Sequence, residues 1–76
     1  MQETSPSSFQ ELHIGQLIKQ ELVRQGRSNK WLAEQIHCNP HSISKIFQKR
    51  IMDTQQLFLI SRALQYDFFA YYSTLL

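Results

Sequence analysis

The sequence predicts an all-α domain of five helices. Apolar residues recur at intervals of three and four, in Ile14, Leu17, Ile18 and Leu22 and again in Leu57, Ile60, Ala63 and Leu64. That repeat lays one stripe along a helix. No stretch alternates apolar and polar residues between turn signals, as a half-buried strand would. Serine, asparagine and aspartate stand before the periodic segments, where helix starts need a side-chain acceptor. At 76 residues the chain is one domain, near the lower limit for a self-supporting core.

Taken in order, residues 1–7 read as a flexible arm and residues 8–76 as the single domain. Ser8 with Glu11 three positions on has the form of a capping box, which opens a first helix over residues 9–25. Ile14, Leu17, Ile18 and Leu22 are its core stripe. Glu21 falls inside that stripe with no rationale in the sequence. Gly26 is a left-handed stop. Ser28 caps a second helix whose Leu32, Ala33 and Ile36 face inward. His37-Cys38-Asn39 interrupts the pattern. Asn39 then caps a third helix with Pro40 at its first position, where a missing N–H costs nothing. Two helices about three residues apart have the spacing of a helix-turn-helix, here over residues 28–48. Asp53 or Thr54 caps a fourth helix, and Asp67 a short final one, F-F-A-Y-Y-S-T-L-L.

Several function classes are disfavoured. Apolar content of 42% and charge of 18% are those of a folded domain, which argues against wholesale disorder. No charged leader with an apolar run follows Met1, and no segment approaches the ~20 apolar residues of a membrane span, so a cytoplasmic, non-membrane chain is expected. Cys38 is the single cysteine, so no intramolecular disulfide forms. Without a Ser/His/Asp order, a glycine-rich phosphate loop or paired carboxylates, no enzyme and no cofactor are expected. His37, Cys38 and His41 raise a metal site. Three diverging ligands with no second Cys/His pair favour an apolar plug at Cys38 instead, and no metal. Trp31 is either a stacking platform or a lid over the core edge, and the lid is favoured.

Charge is unevenly placed. Arg24, Arg27, Lys30, Lys45, Lys49 and Arg50 face Glu34 alone in the middle of the chain, while the remainder is acidic. Such clustering makes a local positive field even though the formal net charge is only +2. At ~100° per residue, Ile43, Ile46 and Phe47 share one side of the third helix. His41, Ser44, Lys45 and Gln48 share the other, with Ser42 and Pro40 on the flanks. A short-limbed, hydrogen-bonding, acid-free face suits a DNA major groove, where base edges offer donors and acceptors.

The run I-G-Q-L-I-K-Q-E-L-V-R-Q-G-R-S-N-K-W-L-A-E-Q-I-H-C-N-P-H-S-I-S-K-I-F, with the later I-S-R-A-L-Q-Y-D-F-F, resembles the phage-repressor and Cro type of helix-turn-helix, the XRE-like family. The likeness spans residues 14–69. It implies a lambda-repressor-like five-helix bundle in which Ala33 lets the two motif helices approach closely. It also implies a sequence-specific double-stranded DNA-binding transcriptional regulator of repressor type. Pro40, His41, Ser44 and Lys45 match base-reading positions, and Ser28, Asn29, Ser42 and Gln48 match positions near phosphates. Arg27, Lys30, Lys49 and Arg50 add phosphate contacts by charge. His37 stands where the family has a turn glycine, which demands a positive φ or a different turn. Asn29 replaces the usual glutamine.

The partner expected besides DNA is a second copy. Phe69, Tyr72, Leu75 and Leu76 exceed what one face of a short helix can bury, and a homodimer would join two half-sites. The alternative is a protein-interaction module, such as an antitoxin-like or adaptor subunit with the same fold.

Overall fold

In the computed structural model, which describes residues 8–76, a 3-10 turn, Phe9–Glu11, is followed by five α-helices: α1 Ile14–Arg24, α2 Asn29–Gln35, α3 Pro40–Phe47, α4 Thr54–Leu64 and α5 Ala70–Ser73. There is no strand among the described residues. The arm over residues 1–7 lies outside the described residues. Helix α2 lies against α3 and α4, and α1 lies against α3. Between them Leu12, Ile14, Ile18, Leu32, Ile43, Ile60 and Phe68 are at most 1% exposed.

Three helix starts follow from local chemistry. Ser28 Oγ accepts from the Trp31 N–H at 3.0 Å, Asn39 Oδ1 from that of His41 at 2.8 Å, and Asp53 Oδ1 from that of Gln56 at 2.7 Å. Each satisfies a donor that has no partner inside its own helix. The cap of α4 is thus Asp53 rather than Thr54. Pro40 occupies the first turn of α3 as expected.

The first helix departs from expectation. Instead of one helix over residues 9–25, the 3-10 turn ends in extended backbone at Leu12 and His13, and α1 starts afresh at Ile14. Ser8 makes no side-chain cap bond. His13 Nδ1 caps α1 by accepting from the Gln16 N–H at 3.2 Å. The reason lies outside the segment. The Ile14 and Gly15 N–H groups donate to the carbonyls of Arg50 (3.3 Å) and Lys49 (2.8 Å), just beyond α3. Leu12 is drawn into the core. A Cβ on Gly15 would lie 2.7 Å from the Lys49 carbonyl oxygen and closer still to those of Ile46 and Phe47. Only glycine permits this approach.

The C-terminal end also differs. Asp67 does not cap α5 with its side chain; Phe69 precedes the helix and makes no side-chain cap bond. Asp67 gives only its carbonyl, to the Ala70 N–H at 3.3 Å. Phe68, fully buried, is pulled into the core. That breaks the expected two or three turns into the four residues of α5.

Helices α1, α2 and α4 end alike. Gly26, His37 and Gln65 are left-handed, with φ of 70°, 58° and 51°. In each case the next N–H reaches back five residues to a carbonyl: Arg27 to Leu22 at 3.1 Å, Cys38 to Ala33 at 2.9 Å, Tyr66 to Ser61 at 3.0 Å. This closure satisfies carbonyls that the helix itself leaves unpaired. His37 therefore adopts the positive φ its place in the sequence demanded.

Glu21 acquires an explanation. Although 6% exposed, its carboxylate accepts from Arg24 Nε at 2.9 Å and from Gln25 Nε2 at 2.7 Å. Gln25 Nε2 also donates to the Leu64 carbonyl at 2.9 Å, tying the end of α1 to the end of α4. The Arg24 hydrogen bonds hold the Glu21 carboxyl below the ordinary carboxylate value, against the opposing effect of burial.

Two substitutions of opposite sign test these constraints. Gly15→Ala should destabilise the domain by about 3 kcal/mol or more, since the clashing atoms are backbone. His37→Gly should stabilise it by about 1 kcal/mol, a rise in Tm of roughly 4–8 °C, because it relieves an L-residue of left-handed backbone. Thermal unfolding followed by circular dichroism reads both, and a Gly15→Ala chain as stable as the parent would contradict the packing described.

Candidate nucleic-acid interface

Helix α3 is anchored from beneath and open above. Ile43 and Ile46 are 0% and 2% exposed. Pro40, His41, Ser44, Lys45 and Gln48 are exposed, and Ser42 is half-buried at the flank. The division expected from helical geometry is the one observed.

Ser44 and Gln48 also line an open groove of about 770 Å³ between α1, α3 and the start of α2. From α1 and its cap come His13, Gln16, Lys19 and Gln20, and from the approach to α2 and its first residue come Arg27 and Asn29, over Leu22 and Phe47. None of its lining residues is acidic. The cations are held rather than free to wander. The Arg27 guanidinium lies 4.1 Å from the Trp31 ring centroid, and Lys19 Nζ lies 5.9 Å from that of Phe47. Stacking on a ring fixes a cation while leaving its outer face to solvent. Trp31 is half-buried against the core with Arg27 across it, which is the lid its sequence context favoured.

Lys49 and Arg50 lie just past the far end of α3. Lys49 Nζ donates to Gln56 Oε1 at 3.2 Å. Arg50 Nη1 donates to the Phe9 carbonyl at 3.4 Å, and its guanidinium sits 5.5 Å from the Phe9 ring centroid. Lys30 is exposed on α2. Ser28 uses an oxygen lone pair as the α2 cap, which leaves its hydroxyl hydrogen to donate.

The expected site residues are thus only partly gathered. Arg27, Asn29, Ser44 and Gln48 share the groove, whereas Ser42 lines a separate hollow with Ile36, Cys38, Asp53, Gln55 and Gln56. An acid in that hollow makes it the poorer seat for a phosphate. Lys19 and its α1 neighbours were not foreseen. The helical projection used for α3 would have found them, because Gln16, Lys19 and Gln20 all fall on the side of α1 opposite its core stripe.

Cys38 is half-buried against the core, and burial pushes its thiol above the ordinary value. No cluster of three or more His, Cys, Asp or Glu able to hold a metal occurs among the described residues. Among those residues, no helix is long and apolar enough to cross a membrane. Phe69, Tyr72 and Leu75 are half-buried against the bundle, the Tyr72 ring 6.3 Å from that of Phe9, while Leu76 is fully exposed. The exposed aromatic of this half of the chain is instead Phe58 on α4, at 53%. No family model, curated protein or solved structure matches the chain.

Proposed function

We propose that the chain binds double-stranded DNA sequence-specifically and regulates transcription as a repressor, as a lambda-repressor-like helix-turn-helix domain of the XRE-like, phage-repressor and Cro type. One observation carries this: an exposed α3 face without acids stands beside a groove that gathers Lys19, Arg27, Asn29, Ser44 and Gln48. At 1.5 Å per residue, the eight residues of α3 are about 12 Å long, the width of a major groove. His41, Ser44 and Lys45 face the base edges, and Pro40 offers apolar contact to a thymine methyl. Lys19, Arg27, Lys30, Lys49 and Arg50 meet phosphates with Ser28, Asn29 and Gln48. Base contacts then choose the sequence while phosphate contacts set register and most of the affinity. One α3 reads only a few base pairs, so two copies on half-sites about 34 Å apart complete the address. The chemistry needed is positional, with no bond made or broken.

A titration on random duplex DNA at several salt concentrations tests this. Binding should weaken with a log–log slope of about −4 or steeper for two copies. No binding at low salt at tens of micromolar would exclude DNA and favour the protein-interaction module, which the exposed Phe58 would suit.

Reading and positioning separate by substitution. Lys45→Ala should cost about 1–3 kcal/mol of selectivity between a chosen site and random DNA. Lys19→Ala should weaken all sequences alike and make the salt slope shallower by about one unit per copy. Selectivity lost in Lys19→Ala but kept in Lys45→Ala would reverse the assignment of faces.

A further inference from the structure

His13 holds a backbone donor with one ring nitrogen and leaves the other free. Its Nδ1 accepts from the Gln16 N–H at 3.2 Å and so caps α1. A nitrogen that accepts has no hydrogen, so the neutral imidazole carries its proton on Nε2. The two nitrogens point away from each other across the ring. With Nδ1 turned to the helix, Nε2–H is turned outward, and it has no hydrogen-bond partner among the described residues. The residue is half-buried and lines the groove together with Lys19 and Arg27.

The terminus of α1 has little else to offer a ligand. The Ile14 and Gly15 N–H groups are spent on the carbonyls of Arg50 and Lys49, and that of Gln16 on His13 itself. The imidazole passes the last of these donors outward, accepting one hydrogen bond inside and offering another outside. Accepting a bond polarises the ring and strengthens the bond it donates. The positive end of the α1 dipole acts in the same direction. We infer that His13 is a further phosphate-binding residue, donating its Nε2–H to the DNA backbone as a neutral group. This rests on the DNA reading of the groove and adds to it a contact of another kind. Lys19 and Arg27 attract a phosphate by charge. His13 supplies direction without charge, because a proton on Nδ1 would cost α1 its cap.

Two substitutions divide the cap from the donor. Serine is a preferred cap, but its hydroxyl is too short to reach into the groove as well. Lysine cannot cap, yet it extends a donor. At pH about 8, where a free imidazole is neutral, His13→Ser should weaken binding to random duplex DNA about tenfold. Its Tm should stay within a few degrees of the parent. Its salt slope should not change, since a neutral donor displaces no counterion. His13→Lys should lower Tm by roughly 4–8 °C but bind at least as tightly as the parent, with a slope steeper by about one unit per copy. A residue that served only as a cap would rank the two variants the other way, and that ranking overturns the inference. So does a loss in His13→Ser that comes with a shallower slope. Ring-nitrogen chemical shifts of the free protein, assigned against His13→Ser, need no DNA; a proton found on Nδ1 is equally fatal. A parent chain that binds no DNA fails the reading of the groove, whereas a binding parent matched by His13→Ser fails this contact alone.

Discussion

The backbone contact between the start of α1 and the end of α3 is the constraint on which the rest of the molecule depends. Two N–H groups at the α1 terminus meet two carbonyls beyond α3, and Gly15 lets the chains close to that distance. Donors at one helix start and acceptors past another helix end are both orphans. Joining them satisfies four polar groups without a side chain. The same contact bounds the groove, because the start of α1 is held at backbone distance from the end of α3. A larger residue at position 15 would act on that groove as much as on stability.

Around this contact the domain is economical. Three of its helices stop with a left-handed residue and a reach-back of five, and each stop turns the chain onto the next element with little linker. Glycine does this freely at position 26. Histidine and glutamine do it at 37 and 65 against backbone preference, so the surrounding packing must impose the conformation. Next to them, Cys38 and Tyr66 lie half-buried against the core, the apolar contact that usually accompanies such a closure.

What could be read from the sequence divides along the range of the forces involved. Ser28, Asn39 and Asp53 were legible as caps because a cap is made within three residues of itself. The inner and outer faces of α3 were legible because helical geometry alone assigns them. Ser8 and Asp67 misled for the complementary reason. Both carry the right local chemistry, and both lose to distant partners, the α3 end in one case and the burial of Phe68 in the other. Glu21 was opaque because its tether runs through Gln25 to Leu64, about forty residues on. Gln65 showed no sign of its left-handed backbone, since glutamine has no preference for it. Lys19 joins Arg27, Asn29, Ser44 and Gln48 only once α1 has been folded against α3, so the charge pattern along the chain placed it outside the basic cluster.

Arg50 sits where the first turn and the last helix of the described chain come together, its guanidinium over Phe9 and Phe9 beside Tyr72. An arginine in solution samples many rotamers, and ordering one on a ligand forfeits freedom worth ~1–2 kcal/mol. Here much of that freedom is already lost on folding. An anion arriving at Arg50 would therefore meet a charge whose direction is set, and would disturb one weak hydrogen bond to a carbonyl rather than an ion pair. It also follows that the two ends of the chain, remote from α3 in sequence, govern the entropy of a cation lying just beyond it.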